Sequence, residues 1–124
     1  TVLVDLKTCQ DASPTAFRKD IAKFQYYLQA TVYTTLWHQL HPDEPIPEMR
    51  FVAVSKTQPH LVSVNRVGWE YEDLGQTQMR RAIDRYAECV ETGQWPGYLP
   101  IVWEQSPPRW LLAEEGEEEM EIIL

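Results

Sequence analysis

The sequence lacks any apolar run near the ~20 residues that a membrane-spanning helix needs, so it reads as a chain outside the bilayer. Cysteine is scarce: Cys9 and Cys89 are the only two, too few for a disulfide framework, and the expectation is a reducing, cytoplasmic setting. No segment repeats, which excludes a solenoid or an array. The opening residues, Thr1-Val2-Leu3-Val4-Asp5-Leu6-Lys7, have neither a basic n-region nor a small-residue cleavage site, so they do not read as a signal peptide. There is no initiator Met, and the chain opens directly in an apolar run, as a cut through a larger protein would. Positive charge is also short. Eleven Lys and Arg face 19 Asp and Glu, for a net charge of -8. Six of those acids (Glu114, Glu115, Glu117, Glu118, Glu119 and Glu121) crowd the last eleven residues, leaving 13 acids against 11 bases in the body. A near-neutral body offers no electrostatic support for DNA binding, which draws on Lys and Arg at phosphates. A nuclease that holds a metal with carboxylates can still be acidic locally.

What is there suits one globular core. The chain has 124 residues, 44% hydrophobic and 24% charged, as an ordinary soluble domain has. Val2 to Lys7 alternates strictly and reads as a strand, with Val2, Val4 and Leu6 on one face and Leu3, Asp5 and Lys7 on the other. Thr8 to Ser13 reads as a loop. Ser13-Pro14 is a helix start, with Ser as N-cap and Pro in the first helical position. One helix is expected from Pro14 to His38, its apolar stripe formed by Phe17, Ile21, Phe24, Leu28 and Val32. Three prolines make His41 to Glu48 a loop. The run Phe51-Val52-Ala53-Val54 predicts a strand covered on both faces, and a turn at Gln58-Pro59 pairs it with a second strand as a hairpin. The strands are expected near Arg50–Lys56 and Leu61–Arg66. A last helix is expected from Glu70 to Thr92 with Gly93 as C-cap, burying Met79, Ile83, Tyr86 and Val90. From Gln94 the chain is rich in Pro and Trp and reads as a wrap pinned by Trp95, Trp103 and Trp110. Residues 1–112 are taken as the domain and residues 113–124 as an acidic tail expected to be disordered.

Chemistry enters at Asp5-x-Lys7. Residues two apart on a strand point to the same face, so a carboxylate and an ammonium emerge side by side from an apolar strand. Covering such a pair is costly unless it has partners. One reading is phosphodiester hydrolysis: Asp5 ligates Mg²⁺, and Lys7 orients the attacking water and stabilises charge building on the phosphate. The other is an ordinary edge-strand ion pair that blunts aggregation, since a bare D-x-K is common. About twenty residues on, Tyr26 and Gln29 sit three apart and share a helix face that could look back at the strand. The alternative there is a half-exposed helix flank.

These segments carry a resemblance in their order and spacing. Val4-Asp5-Leu6-Lys7-Thr8, then Asp11-Ala12-Ser13-Pro14 with Phe17, then Phe24-Gln25-Tyr26-Tyr27-Leu28-Gln29-Ala30 with Tyr33, resemble the RecE-type exonuclease domain (exodeoxyribonuclease VIII) of phages and prophages. Phe51-Val52-Ala53-Val54-Ser55-Lys56, Thr92-Gly93-Gln94-Trp95-Pro96-Gly97-Tyr98 and Pro107-Pro108-Arg109-Trp110 extend it over roughly residues 2 to 112. The resemblance implies an α/β (α+β) restriction-endonuclease-like PD-(D/E)xK core. It also implies Mg²⁺, processive 5′-to-3′ digestion of linear double-stranded DNA, a ring-shaped homo-oligomer and a single-strand annealing protein as partner. Carried over, Asp5 matches the second acidic metal ligand, the main-chain carbonyl of Leu6 a further metal contact, Lys7 the motif lysine, and Tyr26 with Gln29 the Tyr-x-x-Gln element. The family pattern also needs a first aspartate on a preceding strand, and often an upstream histidine. The core is therefore expected to be incomplete at its N-terminal side and this polypeptide inactive alone. The competing expectation is a remnant without catalysis that serves as a DNA-binding or assembly module.

Weaker signals remain. His38-x-x-His41 spans a helix end and a loop with no Cys pair nearby, a poor zinc site. Cys9 stands two residues from Lys7, a cation that could lower its pKa, but no base follows at nucleophile spacing. Arg18, Lys19 and Lys23 give the first helix a basic flank, read either as a solvated face or as a contact for a DNA backbone.

Overall fold

The computed structural model describes residues 1–113. It falls into two units, Thr1–Gln94 and a second beginning at Trp95. The first unit runs β1 (Val2–Cys9), α1 (Pro14–Lys23), α2 (Tyr26–Leu40), β2 (Glu48–Ser55), β3 (Val62–Asn65) and α3 (Trp69–Thr92). The three strands form one sheet in the order β1-β2-β3. β1 and β2 are parallel, with Asp5 opposite Phe51 and Lys7 opposite Ala53. A parallel pair needs a crossover connection, and α1 with α2 supplies it. β2 and β3 form the expected hairpin, Val54 opposite Val62 and Phe51 opposite Asn65. A mixed α+β domain is therefore present.

Period-2 alternation gives the sheet two unlike faces. Phe51 and Ala53 point inward and are fully buried, joined by Met49, Cys9 and the helix residues Phe17, Ile21, Tyr27 and Ala30. Leu3, Asp5 and Lys7 share that helix-covered side at half-burial. The outer face carries Val4, Leu6, Val62 and Val64, all more than half exposed. Val52 and Val54 on β2 are only half-buried, so the expectation of a strand covered on both faces fails on that side.

The expected single helix from Pro14 to His38 is two helices. Phe24 N–H donates to Asp20 O at 2.9 Å and closes α1. Gln25 then turns left-handed at φ 55°, and α2 restarts on its carbonyl through Leu28 N–H at 2.9 Å. The left-handed residue rotates α2 relative to α1. Phe17 and Ile21 keep the expected stripe, but Phe24 swings out to 54% exposure, and Tyr27, Ala30 and Thr31 become the buried face of α2.

α3 has the expected length and ends on Gly93 at φ 68°, whose N–H donates to Cys89 O at 2.9 Å. Its buried side differs from the expected stripe. Gly75 and Cys89 are buried, Met79 is half-buried, and Ile83, Tyr86 and Val90 are 49–64% exposed. The reason lies in where α2 meets it: Tyr71 stacks on Tyr27 at 4.8 Å, Gln78 accepts from Tyr27 Oη at 2.9 Å, and Gly75 faces Thr31. All three contacts fall on the first half of α3.

The second unit has one turn of helix at 109–113 and little other regular structure. Trp95, Trp103 and Trp110 are more than half exposed, against the expectation of buried pins. The acidic stretch beyond residue 113 lies outside the described residues.

Candidate active site

Asp5 and Lys7 leave the same face of β1, as their spacing requires, and meet under α2. Lys7 Nζ lies 2.7 Å from Asp5 Oδ2, with the two side chains 18% and 23% exposed. The ammonium also donates to Gln29 Oε1 at 2.8 Å, and it sits 4.4 Å from the centre of the Tyr26 ring and 5.9 Å from that of Phe51. Tyr26 and Gln29 therefore do face the strand, across the helix–sheet packing. The left-handed turn at Gln25 aims them there, because it sets the rotation at which α2 begins. Phe51 is the site residue that the sequence does not point to. Its signal is its place in an apolar strand, which says core and not that a ring underlies a cation.

The two partners are unequally served. Lys7 has a carboxylate, an amide oxygen and an aromatic face. Asp5 Oδ2 is shut off from solvent, with the Lys7 ammonium at 2.7 Å as its ion-pair partner and no other hydrogen-bonding group on it. A buried carboxylate oxygen served by a single charged partner is the kind of donor a hard cation uses. Leu6 adds to this. Cys9 O accepts from Lys56 N–H at 2.8 Å, on the β2 side. By strand alternation Asp5 and Lys7 turn their main-chain groups the same way, and the Leu6 carbonyl turns to the edge of β1 that is unpaired among the described residues. Beyond these two donors the set is thin: among the described residues no three His, Cys, Asp or Glu converge as metal ligands.

The other signals do not join the site. His41 turns Nδ1 to Trp37 O at 3.0 Å and stacks on the Trp37 ring at 4.1 Å, which ties it to its own helix end. Burial, then the charges of Asp20 and Asp11, push the Cys9 thiol up, with only Lys56 opposing; its Sγ donates to Val54 O at 3.6 Å. A thiol raised in this way is protonated and unreactive. Arg18, Lys19 and Lys23 are exposed on α1, and Lys23 Nζ sits 5.2 Å over the Phe24 ring.

With this geometry in place, comparison with known proteins adds one finding. Residues 1–99 match a family described as a PDDEXK-like domain of unknown function (DUF3799), and the chain belongs to that family. No curated protein matches it.

Proposed function

We propose that this member of the PDDEXK-like family is the catalytic-strand portion of a metal-dependent exodeoxyribonuclease acting on linear double-stranded DNA. The observation that carries the reading is the arrangement around Asp5: a carboxylate oxygen shut off from solvent and served by one partner, a lysine that α2 clamps in place.

In this reading Asp5 Oδ2 and the Leu6 carbonyl hold Mg²⁺, which when bound polarises a phosphoryl oxygen. Lys7 places its ammonium against the phosphate and stabilises the negative charge that grows there. Gln29 holds Nζ at the strand, and Tyr26 covers the ammonium's apolar side, so little reorganisation is left for the moment of reaction. A further acidic ligand would come from outside these residues. Ring assembly, a single-strand annealing partner and a place in phage recombination belong to the same reading, on the resemblance alone. The competing reading, a DNA-binding or assembly module, draws on the thin donor set.

Binding of Mn²⁺ as a Mg²⁺ surrogate, measured by electron paramagnetic resonance, and digestion of linear duplex DNA with Mg²⁺ test the proposal. Both are run on the wild type and Asp5→Asn, in this chain and in a version extended at its amino end. Asp5→Asn should abolish specific Mn²⁺ binding and lower digestion by several orders of magnitude while the fold persists. Undiminished metal binding and digestion by Asp5→Asn would remove this residue from the site.

A further inference from the structure

Phe24 is where the fold leaves an aromatic ring that its own pattern had reserved for the core. A helix carried straight through would have kept Phe24 in line with Phe17 and Ile21. Instead the chain takes a left-handed residue at Gln25, an unfavourable conformation for a side chain with a Cβ, and Phe24 stands 54% exposed at the break.

The exposed ring is not isolated. Phe24 and Tyr26 stack with centroids 5.6 Å apart and 29° between planes. Tyr26 and Phe51 stack at 5.8 Å and 27°. Three rings thus run from the surface to the core, with a cation beside each ring of the outer pair: Lys23 Nζ at 5.2 Å over Phe24 and Lys7 Nζ at 4.4 Å over Tyr26.

We propose that Phe24 is a stacking platform for an unpaired base of the DNA strand, next to the phosphate that Lys7 receives. The proposal rests on the nuclease reading and names what that reading leaves open, how the strand is held. Alternating aromatic faces and cations match a nucleic-acid strand, which alternates flat bases with phosphates. Every base has a π face, so the contact would tolerate any sequence. It also requires that the base be free to leave its neighbours, because within an intact duplex both faces are already stacked. Phe24 should therefore act on single strands and frayed ends, and Lys23 beside it should meet the adjoining phosphate.

The test is binding, not cleavage. A single-stranded oligodeoxynucleotide bearing 2-aminopurine, whose emission falls on stacking, is titrated with the full chain in EDTA and again in Ca²⁺. The proteins are wild type, Phe24→Ala, Phe24→Leu and Phe24→Trp, and circular dichroism confirms that each is folded. Phe24→Ala should weaken binding by about ten- to a hundredfold, the loss expected of one base–aromatic stack. Phe24→Leu, which keeps an apolar side chain without a π face, should do nearly the same. Phe24→Trp should restore both affinity and quenching, and affinity for a closed duplex without ends should scarcely change. Equal binding by all four proteins, or full binding by Phe24→Leu, would overturn the stacking role alone. A Phe24→Ala protein that loses self-association while binding DNA unchanged would assign the ring to a protein contact instead. A wild type that binds no single-stranded oligonucleotide would overturn this inference, while Mn²⁺ binding and duplex digestion decide the nuclease reading separately.

Discussion

The unequal service of Asp5 and Lys7 predicts an unequal response to losing either. Lys7→Met removes the ion-pair partner of Asp5 Oδ2, an oxygen that is out of solvent. Breaking a fully buried pair this way costs roughly 3–5 kcal/mol. Here the side chains keep 18% and 23% exposure, so water can reach part of the carboxylate and the loss should be smaller, about 2 kcal/mol. Asp5→Asn leaves Lys7 with the Gln29 oxygen at 2.8 Å and the Tyr26 ring at 4.4 Å. Its cost should stay within about 1 kcal/mol. In the double variant nothing charged is left to cover, and it should sit closer to the wild type than Lys7→Met does. Urea titrations on all four proteins measure this directly. A loss of about 2 kcal/mol moves the midpoint by about 1–2 M for a domain of this size. The order expected is wild type, then Asp5→Asn, then the double variant, with Lys7→Met least stable. An Asp5→Asn protein as destabilised as Lys7→Met would refute the asymmetry, and with it the argument that Asp5 depends on Lys7 more than Lys7 depends on Asp5.

Other sites give sharper single outcomes. At Gly75 an added Cβ would run into Thr31 Oγ1, which is tied to Tyr27 O at 3.0 Å, so Gly75→Ala should lose about 1–2 kcal/mol in a thermal melt despite the ~1 kcal/mol that Ala gains over Gly in a helix. Thr31→Ala in the same chain should recover part of that loss. Gln25→Gly should be neutral or stabilising by up to about 1 kcal/mol, and Gln25→Val clearly destabilising, because φ is 55° there; equal midpoints for the two would contradict a left-handed break. The N–H and hydroxyl of Ser13 hold the Asp11 carboxyl below the usual range, and the Arg50 guanidinium does the same for Glu48. Groups depressed in the folded state stabilise it above their unfolded pKa and lose that contribution as pH falls through the folded one. Asp11→Asn with Glu48→Gln should therefore flatten the acid limb of the stability profile, followed by thermal melts from about pH 5 to pH 3.

Much of the fold was legible because single residues force it. Ser13-Pro14 started α1, and the Ser13 hydroxyl accepts from Ala16 N–H at 3.3 Å, as a cap should. Gly93 ended α3 with a positive φ that costs glycine little. The alternating Val2–Lys7 became β1, and the apolar run Phe51–Val54 with the stretch after Gln58-Pro59 became the expected hairpin of β2 and β3. The break at Gln25 was not legible. A helix interrupted by Gly or Pro announces itself, whereas Gln is a good helix former, and nothing in Phe24-Gln25-Tyr26 disturbs the apolar spacing. The stripe on α3 misled for another reason. Periodicity reports which face could be buried, and not how far along the helix a partner reaches; here the α2 contacts at Tyr71, Gly75 and Gln78 lie on the first half of α3.

The site was legible to the same depth. That Asp5 and Lys7 share a face is dictated by the strand, and that Tyr26 and Gln29 share one is dictated by the helix. Whether those two faces meet depends on the rotation at which α2 begins, which the left-handed Gln25 sets. A helix continued from α1 without that residue would start α2 at a different rotation, and nothing would then require the Gln29 amide to reach Lys7. The residue that hides the break from the sequence is thus the one on which the 2.8 Å contact depends. An unfavourable backbone conformation persists where the surrounding structure over-determines it, and such positions cluster at functional sites. At Gln25 the two neighbours it places are an aromatic ring turned to solvent and another laid over a lysine, a division of labour that packing alone does not call for.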